Sequence, residues 1–330
     1  MYSVTIDTGT TNTRICVWRD DHIIAQASEP VGVRDTAITG SKTTLTQGVG
    51  KAIREALAEA RVPEGEAITY LSAGMITSNV GLCEIPHLVA PAGIAELAAG
   101  MVKAELGDVC DQPIWFVPGI KNHAAAVTSE NSDAMDIMRG EETETIGAIS
   151  ALDIQGPAVI ILPGSHSKFV KIDADNKIEG CVTTIAGELL DVITQRTILA
   201  SSLKHRMTDS IDAPVLLDGA KSCQDVGLAR SCFSVRILDM FGDLTDNQKA
   251  NFLLGAVLHD DIQAIKNSKA LNITPDITLV VCGKKILKEA LITLIKNDNW
   301  FTGEIIIMPD NQASLSGLGA LAIAKYRNII

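Results

Sequence analysis

The feature that most constrains this fold is a short polar turn between two apolar segments near the N-terminus. Val4 and Ile6 precede the turn, and a β-rich apolar segment from Ile15 to Trp18 follows it. Between them lies the run Asp7-Thr8-Gly9-Thr10-Thr11-Asn12-Thr13-Arg14. Glycine lets a backbone approach a ligand closely, and hydroxyl and N–H groups can bind an anion. The run therefore predicts a β-hairpin that handles phosphate, in a sequence without the P-loop pattern.

This turn contains two kinds of candidate ligand. Asp7 stands at the end of the first strand, where a carboxylate can hold a hydrated Mg²⁺ that faces bound phosphates. The residues expected to contact phosphate follow it directly, and they are Gly9, Thr10, Thr11 and Asn12. The hairpin thus predicts one metal-organising carboxylate beside a phosphate-binding turn.

A second strand–turn–strand segment repeats this pattern near the middle of the chain. The buried-strand pattern of residues 158–162 is followed by Pro163-Gly164-Ser165-His166-Ser167-Lys168 and then by another apolar strand. Such an internal repeat favours two halves of related topology, each with a phosphate-binding hairpin. Leu162 stands where the first hairpin has Asp7, so the pattern predicts one metal site and not two. A chance resemblance between two short segments is the alternative.

Strands and helices alternate along the chain, which predicts an α/β fold with mixed sheets. We expect two domains, 1–150 and 151–330, with ligands in a cleft between them. Helices are expected at about 42–61, 92–106, 133–152 with a bend near Gly140, 188–201, 215–231, 248–266, 286–296 and 313–327.

The composition excludes several classes of function. A net charge of −12 and a pI near 5.0 argue against nucleic acid and against an anionic membrane surface. The sequence contains no apolar run long enough to cross a bilayer and no signal peptide at its start, so we expect a cytoplasmic protein. Seven cysteines without a C-x-x-C pattern, several of them in apolar runs, are typical of reduced core thiols.

Three further stretches are candidates for chemistry. Two adjacent carboxylates, Glu141 and Glu142, follow Arg139-Gly140, and an exposed helix face is the alternative interpretation. Gly187 lies at the start of a predicted helix, where N–H groups can meet an anion. Gly283 follows an apolar strand, where a flat ligand could lie against the backbone. The alternative for Gly187 is an ordinary strand-to-helix turn, and the alternative for Gly283 is simple close packing.

Together these motifs resemble a known family. The two glycine hairpins and the strand–glycine–helix element resemble the phosphate-1, phosphate-2 and adenosine elements of the actin/hexokinase/Hsp70 superfamily. The finer pattern resembles its 2-dehydro-3-deoxygalactonokinases. The pieces that carry this resemblance are residues 7–14, Met138-Arg139-Gly140-Glu141-Glu142-Thr143, residues 162–168 and Thr184-Ile185-Ala186-Gly187-Glu188-Leu189. They span nearly the whole chain, and the second and third are the specific ones.

The resemblance implies two related ribonuclease H-like domains around a cleft and an ATP- and Mg²⁺-dependent sugar-acid kinase of galactonate catabolism. The expected reaction makes the 6-phosphate of 2-dehydro-3-deoxy-D-galactonate. Asp7 would orient Mg²⁺, and Gly9, Thr10 and Thr11 would hold phosphate from one side. Gly164, Ser165 and His166 would hold phosphate from the other side, and Gly283 would border the adenosine.

The resemblance also implies a general base and a set of cations. The base is expected at Glu141, with Glu142 second and Asp7 third. Arg14, Arg139 and Lys168 are candidates for the substrate carboxylate, and Lys121 is a further one; each could equally be a surface charge. A kinase for another sugar or sugar acid, and a partner-binding actin-like ATPase, are the alternative functions. The oligomeric state stays open, with a homodimer as one candidate.

Overall fold

The computed structural model describes residues 1–123, 126–310 and 314–330. The chain forms two compact units. Unit 1 comprises Met1–Gly156, Asp173–Gly180 and the C-terminal segment that ends at Ile330, and unit 2 comprises Pro157–Ile172 and Cys181–Asp310. The predicted boundary between residues 150 and 151 places Asp173–Gly180 and the C-terminal segment in the second domain, whereas they belong to unit 1. The assignment of functions to the two domains remains a prediction.

Strands and helices alternate through the described residues. The strands are β1 (Tyr2–Thr8), β2 (Thr13–Arg19), β3 (His22–Glu29), β4 (Ile68–Gly74), β5 (Leu88–Val89), β6 (Val102–Ala104), β7 (Ile114–Phe116), β8 (Ile120–Lys121), β9 (Ile137–Met138), β10 (Ala158–Leu162), β11 (Ser167–Ile172), β12 (Ile178–Thr184), β13 (Thr278–Val281) and β14 (Ile305–Ile307). The helices are α1 (Val33–Thr39), α2 (Thr43–Ala60), α3 (Ile94–Gly100), α4 (Glu141–Leu152), α5 (Ala186–Arg196), α6 (Ala213–Val226), α7 (Leu228–Phe241), α8 (Asp246–Asn267), α9 (Lys285–Asn297) and α10 (Leu315–Tyr326).

Unit 1 is built on a mixed sheet of order β3-β2-β1-β4-β7-β6. β1 pairs antiparallel with β2 and parallel with β4, so the predicted opening hairpin is confirmed. Val4 and Ile6 of β1 belong to one apolar cluster with Leu45, Val49 and Ile53 of α2. The four-residue spacing of these α2 residues places them on one helix face, which explains why this helix covers the sheet.

Unit 2 repeats this order as β12-β11-β10-β13-β14. β10 pairs antiparallel with β11 and parallel with β13, and β13 is parallel with β14. The corresponding pairs of unit 1 have the same directions. Gly74 at the end of β4 and Gly283 shortly after β13 also correspond, with φ of +92° and +91°. The internal repeat predicted from two short turns is therefore a repeat of whole sheets.

Glycines allow close packing of helices α4 and α10 in unit 1. A Cβ on Gly147 of α4 would lie 2.0 Å from the Leu315 carbonyl oxygen, and one on Gly319 of α10 would lie 1.8 Å from that of Thr143. Such contacts are possible only without a side chain, so these two glycines let α4 and α10 pack closely. This pairing fixes the start of α4 in unit 1.

Several predicted helices differ from the structure. The helix expected at 92–106 ends at Gly100 and is followed by β6, and the one expected at 215–231 is split into α6 and α7 at Gly227. The helix expected at 133–152 begins only at Glu141, because Gly140 has φ +115° and is its N-cap rather than a bend. For the last helix, the expected first residue, Ala313, lies outside the described residues. No helix in the described ranges has the length and apolarity to span a bilayer.

Candidate active site

The polar turn of unit 1 is held by its neighbours. The Gly9 N–H donates to the Asn12 carbonyl over 2.9 Å, which closes the turn. The carbonyl groups of Gly9 and Thr10 accept the N–H groups of Val33 and Arg34 at the start of α1. Thr10 and Asn12 are exposed, whereas Thr8 and Thr13 are buried with their hydroxyls 3.2 Å apart. The predicted phosphate-binding residues thus form an exposed turn on a fixed base.

Asp7 lies at the end of β1, directly opposite Arg14 in the hairpin register. Arg14 donates to the Asp7 carboxylate over 3.3 Å, and the Asp7 side chain is 24% exposed. Burial raises the pKa of Asp7, and the Arg14 guanidinium partly offsets this. The structure therefore brings one candidate metal ligand and one candidate substrate cation together.

One carboxylate with a partly exposed oxygen suits Mg²⁺, which keeps several waters and takes few protein ligands besides substrate phosphates. In the described parts of the chain, no three Asp, Glu, His or Cys side chains form a metal-binding group. Asp7 fits a hydrated ion and not an all-protein cage.

The start of α4 approaches Asp7 through two glycines. A Cβ on Gly74 would lie 3.3 Å from Asp7 Oδ1, and a Cβ on Gly140 would lie 3.2 Å from Gly74 Cα. Both glycines have positive φ, which other residues rarely adopt. The first turn of α4 is thereby placed beside the end of β1.

Arg139 is anchored immediately before this helix. Its guanidinium donates to Thr77 Oγ1 over 2.8 Å and to the Ile85 carbonyl over 2.7 Å. Thr77 in turn donates to the Gly74 carbonyl over 3.0 Å. The Arg139 backbone N–H donates to Glu141 Oε2 over 3.1 Å. Arg139 thus has a fixed place in unit 1, and its role as a substrate ligand remains a prediction.

Glu141 and Glu142 have different environments although they are adjacent. Glu141 is partly exposed at the first position of α4. Glu142 is fully buried, and both of its carboxylate oxygens lie 2.9 Å from the Gly140 N–H. Burial, followed by the charge of Glu141, raises the pKa of Glu142 to about 7. This geometry makes Glu142 a helix-capping group and leaves Glu141 as the accessible candidate base.

A third carboxylate, Glu144, belongs to the same group and was missed in the sequence. It lies one turn after Glu141 on α4. Burial raises its pKa to about 8, and the charges of Asp7, Glu141 and Glu142 add to this while Arg14 opposes it. The signal was present as the three-residue spacing from Glu141, which places both side chains on one helix face.

The turn of unit 2 is exposed at Ser165 and His166. His166 Nε2 lies 2.8 Å from Glu188 Oε2 at the start of α5, and the Glu188 N–H donates to the Ser165 carbonyl over 2.9 Å. A Cβ on Gly187 would lie 2.1 Å from the Gly164 carbonyl oxygen. The structure therefore brings together the predicted phosphate-2 turn and Gly187, and packing alone requires a glycine at Gly187.

Gly283 lies against the other side of this turn. A Cβ there would lie 2.7 Å from Pro163 Cγ.

Lys168 is only 4% exposed, and its ammonium donates to Thr183 Oγ1 on β12. Lys168 is thus a buried cation of the unit 2 sheet, and its contact with substrate stays a prediction.

The sequence is similar to those of known proteins over most of its length. A family model described as 2-keto-3-deoxy-galactonokinase matches residues 7–317. A Rhizobium meliloti protein named a probable 2-dehydro-3-deoxygalactonokinase is 31% identical over 238 residues, which is 71% of each chain. The Escherichia coli protein named 2-dehydro-3-deoxygalactonokinase is 26% identical over 267 residues, or 80% of each chain.

Solved structures agree on the fold. A Sinorhizobium meliloti crystal structure, described as a candidate 2-dehydro-3-deoxygalactonokinase, superposes with a TM-score of 0.73 at 23% identity and covers 98% of this chain and 96% of its own. Component A of the Acidaminococcus fermentans (R)-2-hydroxyglutaryl-CoA dehydratase superposes with a TM-score of 0.51 at 15% identity, covering 99% and 97%. Together with the repeated sheet order, these similarities confirm the predicted actin/hexokinase-like α/β fold.

Proposed function

Because the chain belongs to the 2-keto-3-deoxy-galactonokinase family and is therefore a kinase, we propose that it phosphorylates 2-dehydro-3-deoxy-D-galactonate with ATP. The product would be the 6-phosphate, and ADP would leave. The structural observation that supports this most directly is the position of Glu141. It begins a helix whose N-cap, Gly140, lies against Gly74 beside Asp7. A base and a metal-organising carboxylate are the two groups that such a transfer needs.

Phosphoryl transfer depends mainly on positioning and on charge stabilisation. In this proposal Asp7 would hold hydrated Mg²⁺, which supplies positive charge to the β- and γ-phosphates when bound. The exposed turn at Gly9, Thr10, Thr11 and Asn12 would position phosphate oxygens through backbone N–H groups and hydroxyls. The turn of unit 2 would do the same with Gly164, Ser165, His166 and Gly187, and Gly283 would lie beside adenosine.

Glu141 would accept the proton of the substrate hydroxyl while the oxygen of that hydroxyl forms a bond to the γ-phosphorus. The bond from that phosphorus to the β,γ-bridging oxygen breaks, and its electron pair leaves with ADP. Glu142 is second in this role and Asp7 third, because the buried Glu142 carboxylate accepts the Gly140 N–H and Asp7 is paired with Arg14. For the substrate carboxylate we retain Arg14, Arg139 and Lys168 as candidates.

The same set of motifs would serve a kinase for another sugar or sugar acid, and the family match favours the galactonate derivative. A partner-binding actin-like ATPase is not favoured. A cytoplasmic location is part of the proposal, because ATP is available there and none of the seven cysteines forms a disulfide. A homodimer stays a prediction that sedimentation would measure.

A coupled ADP-release assay tests the function. We expect ADP production to rise well above the basal rate when 2-dehydro-3-deoxy-D-galactonate is added, and to be weaker with other sugar acids. No rise with this compound would remove the proposal.

Asp7→Asn should lower kcat by orders of magnitude and weaken the dependence on Mg²⁺ concentration while the protein stays folded.

A further inference from the structure

A small three-stranded sheet in unit 1 aligns three residues that precede or follow its strands. β5 is parallel to β8, and β9 is antiparallel to β8. His87 precedes β5, Gly119 precedes β8 and Arg139 follows β9, so the three lie side by side at one end of the sheet. A Cβ on Gly119 would lie 2.9 Å from His87 Cδ2 and 2.8 Å from Arg139 Cγ. Gly119 therefore lets the two side chains come together.

The contact between these side chains determines where the imidazole proton lies. His87 Nδ1 is 3.3 Å from an Arg139 guanidinium nitrogen. A guanidinium can only donate, so Nδ1 is the acceptor and carries no proton. Burial, followed by the charges of Arg139 and Lys121, lowers the pKa of His87 to about 4, so the ring is neutral near pH 7. A neutral ring without a proton on Nδ1 carries it on Nε2.

The Nε2–H group is therefore the hydrogen-bond donor of this ring. The His87 Nε2 atom is buried and has no hydrogen-bond partner among the described residues. A buried donor without an acceptor is costly, because it has lost its hydrogen bonds to water without replacement. Such groups are rare in native proteins, and a functional role is one common reason for them. Two cations, Arg139 and Lys121, act on the ring, so an acceptor here is favoured if it is negatively charged.

We propose that His87 Nε2–H, together with Lys121, forms the subsite on unit 1 that binds the carboxylate of the sugar acid. Arg139 positions the ring through Nδ1 and connects the subsite to Glu141 through its own backbone N–H. The carboxylate and the 6-hydroxyl are opposite ends of the substrate, which suits a subsite near the candidate base but separate from it. This inference rests on the proposed function.

Two substitutions separate the roles of the two ring nitrogens. In His87→Asn the amide oxygen can take the place of Nδ1 and accept from Arg139, but the Nε2 donor is lost. In His87→Gln the amide nitrogen can take the place of Nε2 and donate, but the Nδ1 acceptor is lost. His22→Asn, at an exposed histidine that begins β3, is the matched control.

The KM for sugar acid and for ATP, kcat and the melting temperature are measured for each variant. We expect His87→Asn to raise the sugar-acid KM about 10- to 100-fold, with the ATP KM unchanged, as loss of a hydrogen bond to a charged group predicts. His87→Gln should stay within about threefold of the wild type. Lys121→Met should raise the same KM about tenfold or more and leave kcat within a few-fold.

Other outcomes overturn the inference. If His87→Asn binds sugar acid normally, or if both His87 variants lose affinity equally, the ring acts through Arg139 or through packing. A wild-type enzyme that does not phosphorylate the sugar acid removes the proposed function instead. The two failures are distinguishable, because the second is seen before any variant is made.

Discussion

Glu141 and Glu142 are adjacent and chemically identical, but the structure gives them opposite environments. Gly140, with φ +115°, turns its N–H toward the Glu142 carboxylate, which is fully buried. Glu141 begins the helix and stays partly exposed. A residue that accepts a proton from substrate must be reachable, so exposure and not identity separates the two.

We predict that Glu141→Gln lowers kcat by about 10²- to 10⁴-fold and leaves the melting temperature unchanged. Glu142→Gln should instead keep kcat within a few-fold and lower the free energy of unfolding by about 1 kcal/mol, because a neutral amide oxygen accepts from the Gly140 N–H less strongly than a carboxylate does. Steady-state kinetics and urea unfolding of both variants test this. A large loss of kcat in a fully stable Glu142→Gln protein would move the base by one residue.

Glu144 lies near both Asp7 and Glu141, and this crowding opposes a further negative charge. Its folded-state pKa of about 8 is well above the 4.5 of an ordinary glutamate. Between these pH values the folded chain binds a proton that the unfolded chain has lost. The free energy of unfolding therefore falls as pH rises through this window.

Glu144→Gln should remove this pH dependence. We expect the variant to be more stable than the wild type by roughly 1 kcal/mol or more at pH 8, and the difference to vanish near pH 4.5. Urea unfolding at pH 5, 6.5 and 8 without nucleotide or Mg²⁺ measures it. Parallel stability curves for the two proteins would show that Glu144 titrates normally.

At the scale of elements, the glycines of the two hairpin turns, Gly9 and Gly164, have similar free space around them. A Cβ on Gly9 would lie 3.7 Å from the Asn12 carbonyl oxygen, and one on Gly164 would lie 3.7 Å from that of His166. Both are ordinary contacts, so neither turn needs its glycine for internal packing. Gly187 differs, because a Cβ there would lie 2.1 Å from the Gly164 carbonyl oxygen.

This difference separates ligand binding from packing. We predict that Gly164→Ala keeps the melting temperature within about 2 °C but raises the ATP KM several-fold, because the methyl group lies where phosphate approaches. Gly187→Ala should lower the melting temperature as well. Gly107→Ala, at a glycine with open space around it, is the control. An unchanged ATP KM in Gly164→Ala would remove this turn from the phosphate site.

At the scale of the whole molecule, the thiols belong to the interior. None of the seven cysteines forms a disulfide, and all except Cys83 and Cys110 are buried, as their apolar surroundings predicted. Burial raises the pKa of Cys83 and Cys110 as well, which leaves little reactive thiolate near pH 7.

We therefore predict that the native protein reacts slowly with an aromatic disulfide reagent. After denaturation, seven equivalents of the aromatic thiolate should be released rapidly per protein chain. Reductant should not shift the melting temperature. Fast modification of several thiols in the native protein would contradict the buried positions.

Much of the fold followed from local pattern. The opening hairpin, its repeat at residues 163–168 and the α/β class could be predicted because strand alternation and glycine turns are local properties. Element boundaries were less predictable near Gly100, Gly140 and Gly227, because each glycine ends or begins a helix through a tertiary contact or an unusual φ.

The sequence by itself was enough to predict the family, the two glycine turns and the position of Asp7 at the end of the first strand, because these depend on residue type and spacing. Only the tertiary structure decided which carboxylates are buried and which stay exposed. It buried Glu142, brought Glu144 to Asp7, enclosed Lys168 in a sheet and placed His87 against Arg139. Burial and charge depend on residues far apart in the chain, and for that reason the same side chains carried no distinguishing signal in the sequence.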